Sequence, residues 1–276
     1  MAYKYIIVSR DEKVGTITLN RPERLNAFNS EMIGEILAAL GEVRDDDEVR
    51  VLVITGAGRG FCGGPDIQPG ELRSGKVEAG RAHALQGVIG GLHRGILLHH
   101  PVGEVILTIQ RLEKPVIGMV NGPAAGAGMD IALACDIRFG SPRASFFGAH
   151  MQLGIPVDTG GTWFLPRLVG VAKALEIILG PEKIEGEEAY RLGLLNRLVP
   201  EERLAQETMD YARRLARGSP IAQRLAKIQV YKGLEMGLET ALAQSFANAG
   251  LALLSEDFRE AIAAFAQKRP PVFKDR

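Results

Sequence analysis

The sequence predicts an α/β fold from three features near its start. Residues 3–9 and 14–20 alternate apolar and polar side chains and are rich in β-branched residues, which indicates a hairpin. Asn29 or Ser30 can cap the helix that follows, because apolar side chains then recur at helical spacing. Residues 51–55 are a short apolar run, typical of a buried strand. Strand, helix and strand with glycine-rich loops at one edge favour a layered α/β architecture with its ligand sites on those loops.

The rest of the chain is organised around residues 114–130. Residues 116–120 predict a second buried strand, an Asn-Gly-Pro turn ends it, and a helix holding Asp130 follows over 129–135. Between turn and helix lie the small residues 126–128. A helix N-terminus lined by glycine presents free backbone N–H groups and a positive dipole end, so it predicts a site for a negatively charged ligand oxygen.

Other interpretations of the glycine-rich loops remain open at this point. Residues 55–61 and 122–128 each resemble part of a dinucleotide fingerprint, but neither contains G-x-G-x-x-G between a strand and a helix. The chain also lacks the G-x-x-x-x-G-K-[ST] phosphate loop. Alternatively, the glycines serve only the close packing of a helix on a sheet.

Composition excludes several classes of function. The 276 residues are 46% hydrophobic, enough for one sizeable core with a small appended region. Because 33 basic residues balance 33 acidic ones, no global field favours nucleic acid or an acidic membrane, and neither is an expected partner. Cys62 and Cys135 follow no metal-ligand pattern and suit a reducing compartment. With no signal-like start and no membrane-length apolar segment, we expect a cytoplasmic protein.

Five segments carry a resemblance to a known family. They are NRPERLNAF at 20–28, GFCGGPDI at 60–67, residues 114–136, GGT at 160–162 and KRPPVF at 268–273. In order and spacing they resemble the crotonase superfamily, which includes enoyl-CoA hydratases and isomerases. The resemblance implies a β/β/α spiral core with the acyl-CoA site over residues 1–200. It also implies a helical oligomerisation region over 201–276.

The implied ligand is an acyl-CoA thioester, so coenzyme A enters as part of the substrate and no separate cofactor or metal is expected. The implied assembly is a homotrimer or a dimer of trimers. Helical patterns rich in apolar residues over 238–265 agree with burial against other subunits.

Thioester chemistry requires two N–H donors that stabilise an enolate oxygen. The family places them at the residue after the second glycine of F-x-x-G-x-D and at the middle small residue of the glycine turn. Here those oxyanion-hole positions are Pro65 and Ala127. Ala127 fits, whereas proline has no N–H. Either the loop shifts so that Gly64 or Asp66 donates, or the site has one donor.

The proton-transferring groups also depart from the hydratase pattern of two glutamates twenty positions apart. Those positions hold Asp130 and His150. Eight residues later, Asp158 opens the stretch DTGGTW, which resembles the ring-opening enoyl-CoA isomerases of the phenylacetate pathway. Dienoyl-CoA isomerases and aryl-CoA dehalogenases carry a working aspartate there as well. A carboxylate beside an apolar acyl pocket is partly desolvated, so Asp158 is the predicted acid/base.

Each of these residues has a structural alternative. Asp158 could cap a helix that starts at Gly160. Asp130 could be favoured by the helix dipole, since it lies in the first turn. His150 could be a neutral packing residue or an acid partner of Asp158.

Coenzyme A binding is expected at backbone and basic groups of the first two motifs. By position these are Arg24, Leu25, Ala27, Gly64, Asp66 and Ile67. Lys268 of a neighbouring subunit would reach the nucleotide phosphates. Without the family context, Arg24 and Lys268 read as ordinary surface charges.

The predicted function is a double-bond shift or rearrangement of an unsaturated acyl-CoA, with Asp158 moving the proton and Ala127 holding the enolate. The alternative is a hydratase in which Asp130 and His150 or Asp158 position water. From another class, an acyl-CoA-binding pseudoenzyme fits the proline at position 65 and the missing glutamates.

Overall fold

The computed structural model describes residues 3–66, 101–180 and 182–275, and it confirms the mixed α/β class. The strands are β1 Ile6–Asp11, β2 Val14–Leu19, β3 Val51–Gly56, β4 Val116–Val120, β5 Pro123–Ala125, β6 Ile137–Gly140, β7 Ser145–Phe147, β8 Ile184–Glu185 and β9 Arg197–Leu198. The α-helices are α1 Ser30–Asp45, α2 Pro101–Arg111, α3 Ala127–Ala134, α4 Gly161–Val169, α5 Val171–Leu179, α6 Gly186–Leu192, α7 Leu204–Ala216, α8 Pro220–Gly233, α9 Leu238–Leu253 and α10 Glu256–Ala266. The predicted hairpin, the Asn29-capped helix and both buried strands are present.

The larger sheet has six strands in the order β1-β2-β3-β4-β6-β9. Only the β1–β2 hairpin is antiparallel, and the other pairs run parallel. Because parallel strands are joined by crossovers that cover the sheet, the central strands are apolar on both faces. All six residues of β3 are buried accordingly.

Helices cover both faces of this sheet, and the pleat divides β3 between them. Val51 and Val53 pack with α7 in one cluster. Leu52 and Ile54 pack with α1, α2 and α3 in the larger one. The first helix after residue 200 therefore packs on the core sheet, while the division at 200 stays a prediction.

A smaller sheet of β5, β7 and β8 lies beside the first. Two isolated parallel bridges connect the motif loops. Phe28–Pro65 joins the two loops to each other, and Cys62–Ala124 joins the second loop to β5 of the smaller sheet. As a result, the segments 20–28 and 60–66 meet the start of α3, although they are far apart in sequence.

Two elements around the central turn differ from the prediction. The glycine-rich turn contains the strand β5, and α3 begins at Ala127, two residues earlier than expected. Pairing of β5 with β7 is a tertiary contact that turn residues do not signal. The consequence is that Ala127 is the first residue of the helix.

The C-terminal helices α8, α9 and α10 lie over the core. Asp136 anchors α8 through Lys227, at 2.8 Å, and through the Tyr231 hydroxyl, also at 2.8 Å. Large apolar side chains of α9 and α10 are exposed: Leu238, Leu242, Phe246, Leu251, Leu253, Ile262 and Phe265. Over the described residues, no helix is long and apolar enough to cross a membrane.

Candidate active site

The N-terminus of α3 is the centre of the site. Gly126 adopts φ 52°, a left-handed value that glycine tolerates, and turns the chain into the helix. Ala127 follows as the first helical residue, so its N–H has no partner within the helix. In the described part of the chain no other group accepts a hydrogen bond from it. This N–H is open to a ligand oxygen.

Close backbone packing brings the second motif loop to this helix end. A Cβ atom on Gly128 would lie 2.3 Å from the Cys62 carbonyl oxygen, so a side chain there cannot fit. A Cβ atom on Gly64 would lie 3.8 Å from the Ala127 nitrogen. Gly64, the residue before Pro65, thus lies beside the Ala127 nitrogen.

Two asparagines that the sequence analysis did not single out hold this loop. Asn26 is fully buried, and its Nδ2 donates to the carbonyls of Ala57 and Gly60 at 2.9 and 2.8 Å. Asn121 Nδ2 also donates to Gly60, at 3.2 Å, while its Oδ1 accepts from the Gly56 N–H. Both residues belong to motifs quoted above, but only the folded chain shows their shared partner.

Pro65 supplies no backbone N–H to the site. The Phe28 N–H donates to the Gly64 carbonyl at 2.9 Å, and the Asp66 N–H donates to the Phe28 carbonyl at 3.0 Å. In a parallel bridge of this kind, the backbone N–H of the residue between those two points away from the partner strand. At position 65 that N–H is missing.

Of the two substitute donors, the Asp66 N–H is engaged, because it donates to the Phe28 carbonyl. The Gly64 N–H faces the Cys62 sulfur and opposes the rise that burial causes in the pKa of that thiol, to about 12. Gly64 therefore remains the substitute donor for position 65.

Asp130 is a fully buried carboxyl group on α3. Its Oδ2 accepts a hydrogen bond from the Thr159 hydroxyl at 2.5 Å. Its Oδ1 has no hydrogen-bond partner among the described residues, although the Gly161 N–H faces the carboxyl group. Burial raises the pKa of Asp130 to about 6, the Thr159 and Gly161 donors oppose the rise, and nearby Asp158 adds to it.

His150 and Asp158 meet on the other side of the same helix end. His150 Nε2 lies 3.6 Å from Asp158 Oδ1, and the histidine ring approaches Gly126. The His150 side chain is 5% exposed and that of Asp158 is 49% exposed. Burial lowers the pKa of His150 and the Asp158 carboxylate opposes this, so the imidazole is neutral near pH 7.

The structure thus brings Asp130, His150 and Asp158 together beside Ala127. Asp158 is not the cap of the next helix, because Gly160 holds the N-cap position of α4. Thr159 is a site residue that sequence reasoning quoted within DTGGTW without giving it a role. A threonine beside an aspartate carries no signal by itself, since its partner Asp130 lies 29 positions away.

A cavity of about 530 Å³ opens next to this cluster, between α2, α4 and α8. Gly160 lines it, and the next residue, Gly161, lies against Asp130. Its apolar walls include Ile106, Leu107, Trp163, Phe164 and Ile228. Trp163, five residues after Asp158, lines the cavity, while Phe146 is fully buried in the core.

Comparisons with known proteins agree with this geometry. The profile of the enoyl-CoA hydratase/isomerase family matches residues 9–276. The chain belongs to this family. It is 36% identical to the 1,2-epoxyphenylacetyl-CoA isomerase of Escherichia coli K12, covering 98% of each chain. It is 35% identical to the short-chain-enoyl-CoA hydratase of Clostridium acetobutylicum, covering 98% of this chain and 97% of the relative.

Solved structures of the family have the same fold. The crystal structure of enoyl-CoA hydratase from Bacillus anthracis superposes with a TM-score of 0.86 at 29% identity, over 99% of this chain and all of that one. The crotonase fold implied by the sequence motifs is therefore confirmed.

In this enoyl-CoA hydratase/isomerase family member, the predicted coenzyme A residues lie on two adjoining segments. The Gly63 N–H donates to the Leu25 carbonyl at 2.8 Å, which joins the segment of Arg24, Leu25 and Ala27 to that of Gly64 and Asp66. Asp66 pairs with Arg24 at 3.4 Å. Asp66 also pairs with Arg21 at 2.8 Å, a partner the prediction did not include.

Two further residues were predicted to bind coenzyme A. Ile67 lies outside the described residues. Lys268 follows α10. In the described chain it makes no hydrogen bond or ion pair with residues 24–27 or 64–66. Its contribution from a neighbouring subunit stays a prediction. Across residues 3–66, 101–180 and 182–275, no cluster of histidine, cysteine or acidic side chains is arranged to hold a metal ion.

The raised pKa of Asp130 makes stability depend on pH. A carboxyl group whose pKa rises from 3.8 to about 6 on folding favours the folded state fully below pH 3.8, and this contribution is lost as the pH rises through 6. Asp130→Asn should therefore raise the free energy of unfolding by up to about 3 kcal/mol above pH 6, at 1.36 kcal/mol per pKa unit. Urea denaturation at pH 4 and pH 8 measures this, and the gain should vanish at pH 4.

The matched control is Asp158→Asn, which changes a half-exposed carboxyl group. It should alter the free energy of unfolding by less than about 0.5 kcal/mol, as surface substitutions do. Equal effects of the two substitutions at pH 8 would contradict a specific cost of burying Asp130.

Proposed function

We propose that this chain shifts the double bond of an unsaturated acyl-CoA, or rearranges its acyl group, by proton transfer through Asp158. The observation that carries the proposal is the meeting of Asp158 and His150 beside Gly126, directly before the open N–H of Ala127. A base and an oxyanion donor at one place are what enolate formation from a thioester needs.

The proposed reaction uses one carboxylate twice. Asp158 accepts a proton from a carbon of the acyl group, and the electron pair passes into the thioester carbonyl, whose oxygen becomes the enolate oxygen beside Ala127 N–H. The protonated Asp158 then returns the proton to another carbon, and the carbonyl re-forms. Charge and atoms balance without a second acid. His150 Nε2 lies 3.6 Å from an oxygen of this carboxyl group, which supports the proposed position of the base.

The acyl group is proposed to lie in the 530 Å³ cavity, because its wall at Gly160 adjoins the carboxyl cluster. A glycine at this point keeps that wall of the cavity free of a side chain. A Cβ atom on Gly160 would lie 3.2 Å from the Phe164 ring and 3.6 Å from Ile106, which is tight on both sides. Apolar walls of this kind bind hydrocarbon or aryl groups by burial.

Hydration is the second candidate function, and Asp130 is the observation that favours it. Asp130 occupies one of the two glutamate positions of the hydratase pattern, and its Oδ1 has no hydrogen-bond partner in the described chain. The Clostridium acetobutylicum relative is named a short-chain-enoyl-CoA hydratase. In this alternative, Asp130 and His150 or Asp158 would position the water that adds across the double bond.

The first test replaces the proposed base. Asp158→Asn keeps the size of the side chain but cannot accept a proton, so isomerisation should fall at least about a hundredfold, the low end for loss of a general base. The measurement is exchange of acyl protons in deuterated water together with spectroscopic turnover, across enoyl-, dienoyl- and aryl-CoA thioesters. Acyl-CoA binding should survive. Asp130→Asn is the comparison: its effect should be milder for an isomerase and severe for a hydratase.

Undiminished exchange in Asp158→Asn would contradict the role of Asp158 in this reaction. Absence of exchange and turnover across all thioesters, with binding intact, would instead support the acyl-CoA-binding pseudoenzyme.

The second test restores the missing donor. Because proline has no N–H and the Asp66 N–H is engaged by Phe28, Pro65→Ala should supply a new donor and raise turnover toward the effect of one oxyanion donor, roughly a hundredfold. The measurement is kcat for the best thioester of the panel. Pro142→Ala, in an exposed turn outside the site, controls for the general effect of removing a proline. A change below tenfold at position 65 would mean that another donor already acts there.

The assembly is proposed to be a homotrimer or a dimer of trimers. Phe246 and Phe265 are 83% and 87% exposed in the single chain, on helices that also expose several leucines. Such a surface is typical of a protein interface. Sedimentation equilibrium at micromolar concentration should give three or six chains, and Phe246→Glu should dissociate the assembly. A monomeric wild type would contradict the proposal.

A further inference from the structure

Thr159 connects the two carboxyl groups of the site. It follows Asp158 directly in the chain, and its hydroxyl donates to Asp130 Oδ2. Thr159 is 3% exposed and Asp130 is fully buried, so water does not compete for this hydrogen bond. A shift of the loop that carries Asp158 would therefore also disturb Asp130.

The hydrogen bond gives the two oxygens of Asp130 different roles. Oδ2 is occupied by Thr159, while Oδ1 is buried without a partner in the described chain. A Cβ atom on Gly161 would lie 2.5 Å from Oδ1, so only glycine can pack against that oxygen. A structural carboxyl group is normally satisfied at both oxygens. The Thr159 hydroxyl is thus the one side-chain donor that holds the buried Asp130 carboxyl group in the described chain.

We propose that Thr159 is a positioning residue, which fixes the buried Asp130 carboxyl group and controls the charge that Asp130 presents to the proposed base Asp158. The proposal rests on the proposed function of the site, but it concerns a residue that acts through Asp130 and does not touch the substrate.

The charge of Asp130 is the property that Thr159 controls. A hydrogen bond to the charged form of a carboxyl group lowers its pKa, so the Thr159 hydroxyl keeps Asp130 ionised to lower pH than burial alone would allow. Asp158 is the charged group that acts on Asp130 from the adjoining loop. His150 lies on the far side of Gly126 and is neutral near pH 7. A change at Thr159 thus alters the charge that faces the proposed base.

The experiment compares Thr159→Val with Thr159→Ser. Valine matches the shape of threonine but removes the donor, whereas serine keeps it. The midpoint of the Asp130 titration, followed by the 13C signal of its carboxyl group and assigned by loss in Asp130→Asn, should move to higher pH in Thr159→Val. In Thr159→Ser the midpoint should be close to that of the wild type. Thr162→Val, an exposed change in the same segment, should leave it in place.

A double-mutant cycle supplies the catalytic readout. Thr159→Val should slow acyl-proton exchange about tenfold in the wild-type background and less than twofold in Asp130→Asn, because residues that act through one another are not additive. An unmoved Asp130 midpoint, or equal losses in both backgrounds, would overturn the proposal. If Thr159→Val does not fold, Thr159→Ala takes its place with the same expectations. Loss of exchange in Asp158→Asn tests the proposed function separately. The titration of Asp130 does not require catalytic activity, so it tests the role of Thr159 even in an inactive protein.

Discussion

The whole site depends on the close approach of the α3 N-terminus to the loop of Cys62 and Gly64. Gly128 rests against the Cys62 carbonyl at a distance that excludes any side chain. This contact places Ala127 N–H beside position 65 and the ring of His150 beside Gly126. The six-stranded sheet, the bridges to the second layer and the asparagine contacts to Gly60 all hold the two backbone segments in this relation. Backbone N–H groups fixed in this way need no reorganisation when charge develops on a ligand oxygen.

Chemistry and stability oppose each other at this helix end. Asp130 is buried with one oxygen unsatisfied, and burial raises its pKa to about 6, so its charged form destabilises the fold near neutral pH. The Thr159 hydroxyl offsets part of that cost. At position 65 the effects are reversed. The proline stiffens the loop, which favours stability, but it removes a hydrogen-bond donor that the chemistry would use. Functional sites commonly retain groups of this kind, and the surrounding packed sheet and helices supply the stability that they lack.

Much of the fold followed from local signals in the sequence. The alternation of residues 14–20 and the apolar run of residues 51–55 located two strands, and Asn29 caps α1 as its position before the apolar helix suggests. The motif spacing also predicted Ala127, Pro65 and the carboxyl residues as members of the site, since short motifs reflect backbone turns that are local, and their roles stay predictions. Partners distant in sequence could not be predicted. The pairing of Thr159 with Asp130, the shared Gly60 carbonyl and the strand β5 all arise from tertiary contacts, which leave no periodicity in the chain.

In the proposed mechanism, Ala127 N–H binds the thioester oxygen while Asp158 faces the acyl carbons. A crystal structure of the protein with a bound, unreactive acyl-CoA thioether or slowly turned-over thioester measures both contacts at once. With the thioester, we expect its oxygen within about 3 Å of the Ala127 nitrogen, the range for oxyanion donors. We also expect the acyl group in the cavity lined by Gly160, with a carboxyl oxygen of Asp158 next to an acyl carbon. A thioester oxygen held elsewhere, or an acyl group that leaves Asp158 in contact with solvent alone, would contradict the account.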